Sequence, residues 1–339
     1  MLRTALVRQI AYFSMEVALE EGMPTYSGGL GVLAGDTLRS AADLGMPMVG
    51  VTMLWRKGYF FQTLDEGGSQ HESAVEWSPD DWLTLTDARA EVEIEGRKVA
   101  LQAWQYTITG ISGSVAPVLL LDSDLPENDP FDRTLTDYLY GGESRYRLCQ
   151  AAVLGIGGVR ILRALGYGDV ASFHLNEGHA ALLALELLRE NLRGNQKREE
   201  AIAAVKHRCV FTTHTPVPAG HDQYPEDLAL KVLGQERLEA LRTLGCCEGV
   251  LNMTRVALNL SRYVNGVTER HGEISRSMFP GYPINSISNG VHSASWTAPA
   301  FQRLYDRHIP KWRTDFLSLR YAESIDCAEI VAAHAEAKR

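Results

Sequence analysis

Apolar and polar residues alternate along the chain in blocks that predict strands and helices in turn. Short apolar, β-branched or aromatic runs predict strands at Ile10–Met15, Met48–Leu54, Val99–Thr109, Val115–Leu121, Ala171–Leu175, Val210–Thr213, Tyr263–Val267 and Ile284–Ile287. Longer periodic stretches predict helices at Gly35–Leu44, Ser144–Leu165, His179–Asn191, Asn195–His207 and Pro225–Leu241. This alternation indicates an α/β fold with a largely parallel, Rossmann-like sheet.

The segment from about residue 55 to 124 departs from this alternation. It is polar and strand-rich, with turn residues at Glu66-Gly67-Gly68-Ser69 and Glu95-Gly96-Arg97. These features predict an antiparallel β insertion. Since no repeat or long linker interrupts the chain, we expect residues 1–295 to form one lobe that includes this insertion.

A glycine-rich turn joins the first predicted strand to the first helix. The stretch Tyr26–Asp36 places four glycines within eight residues. Such a turn can present backbone N–H groups to a phosphate or a sugar, and the helix dipole favours an anion at the same point. The alternative is a tight turn with close helix packing. A second cluster, Gly155-Ile156-Gly157-Gly158, follows no strand and predicts close helix packing.

Three further segments place polar or imidazole side chains at predicted strand ends. They are Phe173-His174-Leu175-Asn176-Glu177-Gly178-His179, Phe211 to His221 with Thr213-His214-Thr215-Pro216, and Ile287 to His292 followed by Trp296. Together with Tyr12-Phe13-Ser14-Met15-Glu16, Ser27-Gly28-Gly29-Leu30-Gly31, Val264-Asn265-Gly266-Val267-Thr268 and Asn289-Gly290-Val291-His292, they form an ordered set of motifs. In this set the sequence resembles the N-terminal half of the α-glucan (glycogen, starch and maltodextrin) phosphorylases, closest to their short bacterial and archaeal branch.

The resemblance implies a GT-B glycosyltransferase fold in which two Rossmann-like lobes enclose a cleft. It implies phosphorolysis of an α-1,4-glucan by inorganic phosphate to glucose-1-phosphate, with pyridoxal phosphate as cofactor. In the family, the lysine that binds this cofactor and the cations that grip phosphate lie in the C-terminal lobe, and no such lysine segment occurs here. Residues 296–339 are therefore expected to cross toward that lobe, and the chain alone is expected to be inactive.

The resemblance also assigns roles to individual residues. His214 is the catalytic candidate; Gly29, Leu30, His179, Thr215 and Asn289 are candidates for substrate binding; Gly28 and Trp296 are candidates for cofactor binding. Ser27 stands where larger family members commonly have asparagine, and Glu16 is expected to orient the glycine turn through hydrogen bonds to backbone N–H groups. The residues themselves leave other readings open: a core histidine at 214, an N-terminal cap at 179, an Asn-Gly turn at 289 and core packing at 296.

Two other classes of protein share some of these features. A non-catalytic glucan-binding or regulatory protein could use the same glycine turn, and a sugar-nucleotide glucan synthase carries a similar turn. A hydrolase would need paired carboxylates. Candidates follow the strand that ends near residue 121, at Asp122, Asp124, Glu127, Asp129 and Asp132, and the same loop has part of a calcium-binding pattern. Phosphorolysis requires no carboxylate pair, so the motifs favour a phosphorylase.

Composition restricts the remaining classes. A net charge of −9 argues against a nucleic-acid partner. Five cysteines without framework spacing, including adjacent Cys246 and Cys247, predict neither a disulfide scaffold nor a zinc site and favour a reducing compartment. The residues Met1–Arg8 are too short an apolar run for a signal peptide, and no stretch of about 18 apolar residues occurs. We therefore expect a cytoplasmic protein without metal or membrane, and the sequence leaves a homo-oligomer open.

Overall fold

The computed structural model describes residues 9–194, 197–244 and 248–339 of the chain. The strands are β1 Ile10–Ser14, β2 Met48–Met53, β3 Phe61–Leu64, β4 Gln70–Ser73, β5 Thr84–Ile94, β6 Arg97–Thr109, β7 Val115–Asp122, β8 Ser172–Asn176, β9 Cys209–Thr212, β10 Gln223–Pro225, β11 Val250–Asn252, β12 Tyr263–Gly266 and β13 Asn285–Ser286. The helices are α1 Gly29–Asp43, α2 Pro130–Arg133, α3 Ser144–Ala152, α4 Gly158–Ala164, α5 Leu182–Arg193, α6 Arg198–Arg208, α7 Glu226–Leu233, α8 Gln235–Thr243, α9 Met253–Asn259, α10 Glu269–Met278, α11 Ser293–Trp296, α12 Pro299–His308 and α13 Cys327–Ala337.

A nine-stranded sheet in the order β13-β12-β9-β8-β1-β2-β7-β6-β5 forms the centre of the fold. Neighbouring strands are parallel from β13 to β7, whereas β6 is antiparallel to both of its neighbours, β7 and β5. The central strand β2 is buried throughout, because helices cover both faces of the sheet. A mixed α/β fold with a largely parallel sheet is thereby confirmed.

Two hydrophobic cores lie on opposite faces of this sheet. The face that contains Phe13 and Val51 packs against the segment that runs from α3 to α5, and the other face, with Tyr12 and Leu120, packs against α1. Close helix packing at the second glycine cluster is confirmed. A Cβ atom at Gly155 would lie 2.6 Å from the backbone nitrogen of Leu183, so only glycine allows this approach.

Several predicted elements differ from the observed ones. The predicted helix Ser144–Leu165 contains a π-helical turn at Val153–Gly157, and the predicted helix Pro225–Leu241 is two helices that meet at Gly234, whose φ is +81°. Helix α1 begins six residues earlier than predicted, at the glycine turn itself. Strand β5 was not predicted.

The segment predicted as an insertion is antiparallel in part, but β7 also pairs in parallel with β2 and so belongs to the main sheet. The short hairpin of β3 and β4 stands apart from that sheet. Of the other sequence expectations, those that concern residues 1–8, Asn195, Cys246 and Cys247 lie outside the described residues.

The C-terminal segment has a small core of its own. Helices α12 and α13 pack together around Leu304, Ile309 and Trp312. The assignment of residues 296–339 to a crossover remains a prediction. No helix in the described ranges is long and apolar enough to cross a membrane.

A half-buried histidine in the middle of the sheet leads to a prediction about pH. His174 lies on β8 between Tyr12 and Val210, its Nε2 atom is 2.8 Å from Thr212 Oγ1, and burial lowers its pKa to about 4. The folded state therefore favours the neutral imidazole, whereas the unfolded chain takes up a proton near pH 6.5. The stability that this histidine contributes is present above pH 6.5 and is lost as the pH falls toward 4.

We expect the unfolding free energy of the wild type to fall by about 1–3 kcal/mol more than that of His174→Gln between pH 6.5 and 4. Urea unfolding at a series of pH values measures this difference. Parallel pH profiles for the two proteins would contradict the prediction.

Candidate functional site

The predicted motifs meet at one edge of the sheet. Strands β1, β8, β9 and β12 are neighbours and run in parallel, so their carboxyl ends lie side by side. The loops that follow them carry Glu16, Glu177, His214 and Val267. The carboxyl ends of such strands are where open α/β sheets bind ligands.

Glu16 holds the glycine turn in place, as expected from the sequence. This buried carboxylate accepts hydrogen bonds through Oε2 from the backbone nitrogens of Ser27, at 2.6 Å, and Gly28, at 3.1 Å. No side chain caps α1, whose first N–H groups have no partner within the helix. A Cβ atom at Gly28 or Gly29 would meet nothing within 4 Å. The turn is therefore fixed from behind and open in front.

A second buried carboxylate, that of Glu177, organises the loop after β9. Its Oε2 accepts hydrogen bonds from the backbone nitrogens of His214, at 2.7 Å, and Thr215, at 3.1 Å, and from Thr215 Oγ1. Its backbone φ of +72° lies in the left-handed region that non-glycine residues rarely adopt. Such strain is found where the surrounding structure enforces a functional geometry.

His214 is held by hydrogen bonds that lead back to the first strand. Its Nε2 atom is 2.6 Å from Asn176 Oδ1, Asn176 Nδ2 donates to Ser14 Oγ at 3.0 Å, and Ser14 Oγ donates to the carbonyl of Glu16 at 2.7 Å. Because the asparagine oxygen accepts, His214 Nε2 carries the proton and its Nδ1 atom is an acceptor. Burial lowers the pKa of His214, against the opposing charge of Glu177, so the imidazole is neutral at pH 7.

His179 lies next to Tyr140 at the same carboxyl ends of the strands; we call the residues gathered there, Glu16, Glu177, His214, His179 and Tyr140, the site wall. The hydroxyl of Tyr140 donates to Glu16 Oε1 at 2.8 Å, and its ring centroid is 5.5 Å from that of His179. His179 Nε2 is 3.6 Å from Asp222 Oδ2, while Nδ1 of this buried ring has no partner among the described residues. Burial raises the pKa of Tyr140 well above its usual value, so its hydroxyl stays protonated and remains a donor.

Asn289 and Trp296 lie on a segment that is tied to α1. The backbone nitrogen of Asn289 donates to the carbonyl of Val267 at 3.1 Å, and its side chain is exposed. Trp296 Nε1 donates to Asp36 Oδ2 at 2.8 Å, and the indole is 61% exposed, which excludes the reading of this residue as core. His292 bonds Asp36 through its backbone and Asp43 through Nε2. This segment is thereby anchored beside the helix that the glycine turn begins.

Four of the five acidic candidates near the end of β7 have structural partners, among them Asp124, which binds Arg133. Asp122 is fully buried and binds Arg56, and Asp132 is buried and binds Arg97. Asp129 caps α2. Within the part of the chain that the structure describes, no group of three or more His, Cys, Asp or Glu side chains could hold a metal ion. These carboxylates therefore give no support to a hydrolase.

Several known proteins are similar to this chain in sequence. The maltodextrin phosphorylase of Thermococcus litoralis is 36% identical over 97% of the chain, and the glycogen phosphorylase of Mycobacterium tuberculosis is 39% identical over 88% of it. By sequence, the chain belongs to the glycogen and maltodextrin phosphorylase family. The maltodextrin phosphorylase of Streptococcus pneumoniae is more distant, at 23% identity over 85% of the chain. No family model matches the sequence.

The chain spans only part of these relatives. It covers 42% of the length of the Thermococcus phosphorylase and 38% of the Mycobacterium phosphorylase. The similarity therefore does not by itself assign the activity of a whole phosphorylase to this chain.

Several residues that hold the site wall together could not be identified from the sequence. The sequence motifs contain Asn176 and Glu177 without indicating that they hold the His214 loop, and they give no role to Tyr140 or Asp36. A carboxylate and an amide directly after a buried strand were the available signal for the first two. Tyr140 and Asp36 gave no local signal, because their partners lie more than 100 positions away.

Proposed function

We propose that this chain is the N-terminal, glucose-binding lobe of a cytoplasmic GT-B α-1,4-glucan phosphorylase. The observation that carries the proposal is the shared edge at which Glu16 fixes an open glycine turn and Glu177 fixes the loop of His214. Backbone N–H groups, a neutral imidazole and an exposed amide can together bind the hydroxyl groups of one sugar. The similarity to phosphorylases supplies the reaction, in which inorganic phosphate and glucan give glucose-1-phosphate.

In this proposal His214 positions the transferred glucose. With Nε2 donating to Asn176, its Nδ1 atom accepts a hydrogen bond from a sugar hydroxyl. Thr215 and Glu177 keep the loop in register, and Gly29 and Leu30 supply N–H groups at the start of α1. A neutral histidine suits this role, because binding a neutral sugar does not require an extra charge at the site.

The residues described at this site fit the phosphate group of the pyridoxal phosphate cofactor but include no lysine for its aldehyde. The glycine turn is open in front and begins a 15-residue helix, so it favours a phosphate group. No described lysine pairs with Glu16 or Glu177: Lys57 binds Asp137, Lys98 binds Glu91 and Lys231 binds Glu95. We propose that Gly28 and Trp296 contact a cofactor whose lysine lies on a C-terminal lobe. When bound, the cofactor phosphate would supply proton transfer to the reaction.

The proposal predicts that phosphorolysis requires both lobes. The chain alone should form no measurable glucose-1-phosphate from maltodextrin and phosphate, whereas a mixture with the C-terminal lobe of a relative should form it. The physical reason is that loss of the shared orientation of sugar and phosphate can remove about 7–11 kcal/mol of transition-state stabilisation.

Glucose binding to the chain alone, measured by ligand-observed NMR, is the companion measurement. Saturable binding that Gly29→Val abolishes, without turnover in any mixture, would favour a non-catalytic glucan-binding protein. Turnover by the purified chain alone would contradict the requirement for a second lobe.

A further inference from the structure

A cavity lies beside the C-terminal half of α5, away from the strand-end site. It has a volume of about 1050 Å³ and is bounded by the C-terminal half of α5, by α8 and by Arg160 of α4. His179 precedes the first residue of α5, whereas the cavity lies against residues 185 to 193. The proposed glucose site does not use it.

The lining of this cavity has two chemically different parts. One part is apolar and consists of Ile156, Leu185, Leu188, Leu192, Leu233 and Ala240. The other part is charged, with five arginines and four glutamates; we call the arginines, Arg160, Arg189, Arg193, Arg198 and Arg237, the cationic part, and the glutamates are Glu93, Glu186, Glu236 and Glu239. An occupant that satisfies both parts must combine an anionic group with an apolar one.

The cationic part has fewer buried carboxylates than guanidinium groups. Arg160 and Arg189 both bind the buried Glu186, with Arg160 Nε 2.8 Å from Oε1 and Arg189 Nε 2.9 Å from Oε2. One carboxylate thus serves two cations. The three other glutamates of the lining, at positions 93, 236 and 239, are exposed to water.

Arg237 has no carboxylate partner among the described residues. Its Nη1 atom donates to the backbone carbonyls of Glu93, at 2.8 Å, and Leu233, at 3.2 Å. Burial and the nearby charge of Arg160 lower its pKa, while the charges of Glu93 and Glu186 oppose this shift. A partly desolvated cation without a counter-ion is costly, and an anion bound beside it would offset that cost.

Two more arginines complete the cationic part. Arg198 donates to Thr243 Oγ1, and neither Arg198 nor Arg193 forms an ion pair with a described residue. Guanidinium groups bind phosphate oxygens through paired N–H donors, more specifically than lysine does.

We propose that this cavity binds a phosphate monoester that carries an apolar or aromatic group. The phosphate lies against the cationic part of the lining, and the carbon body packs against its apolar part. This site is separate from the glucose site and does not depend on the proposed phosphorylase activity.

Isothermal titration calorimetry with phenyl phosphate tests the proposal on the chain itself. Phenyl phosphate should bind saturably, and inorganic phosphate and phenol should each bind at least about tenfold more weakly, because each satisfies only one part of the lining. Equal affinity for phenyl phosphate and inorganic phosphate would mean that the apolar part plays no role and would overturn the proposal, as would the absence of binding.

Variants locate the binding. Arg237→Gln and Arg193→Gln should each weaken phenyl phosphate binding by about tenfold or more. Arg270→Gln is the control, since Arg270 lies on α10 outside the cavity and pairs with Glu273, which does not line it, and this variant should bind as the wild type does. Because Arg193 is exposed, its variant decides the question if Arg237→Gln fails to fold.

The glycine turn is the competing place for a phosphate. Gly29→Val should leave phenyl phosphate binding unchanged. Binding that Gly29→Val removes and both arginine variants retain would place the ligand at the turn and overturn the proposal.

Discussion

Replacing Asp122 by alanine is expected to lower the unfolding free energy by about 3–5 kcal/mol, the usual cost of breaking a buried ion pair. Asp122 is fully buried at the end of β7. Its carboxylate accepts hydrogen bonds from Arg56, from Gln102 Nε2 at 2.8 Å and from Trp104 Nε1 at 3.1 Å. Burial opposes ionisation, but these donors, Arg56 above all, hold its pKa below the usual range. Alanine would leave several buried donors unsatisfied at once.

Urea unfolding measures this cost, and Asp124→Ala is the matched control. Asp124 is two residues away, is partly exposed and pairs with Arg133 at the surface and more weakly, at 3.8 Å, with Arg56. Surface ion pairs contribute about 0–1 kcal/mol, so the control should lose little. Equal losses for the two variants would mean that the Asp122 network does not stabilise the sheet as proposed.

Local patterns predicted most of the sheet because its central strands are short apolar runs between helices. Strands β1, β2, β7, β8 and β9 lie within a residue or two of their predicted positions. β5 was missed, because its burial alternates along a sheet edge and its outward residues are polar and charged. The break between α7 and α8 depends on a left-handed glycine that the apolar periodicity does not record.

The candidate site was predictable in part for a related reason. Residues that follow parallel strands meet at one edge, so the sequence could place Gly28, His179, His214 and Asn289 near one another. It could not show how they are held. The bonds from Glu177 to the His214 loop join residues 37 positions apart, and the bond from Trp296 to Asp36 joins residues 260 apart.

The two buried carboxylates of the site have matching roles. Glu16 and Glu177 each follow a central strand, and each accepts hydrogen bonds from two successive backbone nitrogens of a neighbouring loop. Hydrogen bonds from the imidazole of His214 through Asn176 and Ser14 to the backbone carbonyl of Glu16 connect the two loops. A displacement of the glycine turn would therefore disturb the His214 loop, and the reverse also holds. The site wall is thus a single preorganised unit.

The role proposed for His214 leads to the second large effect. In a phosphorylase assembled from this chain and a cofactor-binding lobe, His214→Ala should lower kcat/KM about 10- to 1000-fold, or about 1.4–4 kcal/mol of transition-state stabilisation. The loss follows from removing the Nδ1 acceptor for the sugar and the partner of Asn176 Oδ1. The fold should persist, because Glu177 binds the backbone nitrogens of residues 214 and 215, which alanine retains.

Steady-state phosphorolysis of maltodextrin, with circular dichroism as the measure of folding, gives the comparison. His207→Ala is the control, since His207 is an exposed histidine on α6 and should leave kcat/KM unchanged. Glu177→Gln should also lower kcat/KM, because it removes the charge that holds the loop while leaving the imidazole in place. If His214→Ala kept both its fold and a kcat/KM within twofold of the wild type, the assignment of the sugar site would be wrong; loss of the fold would instead identify His214 as a core histidine.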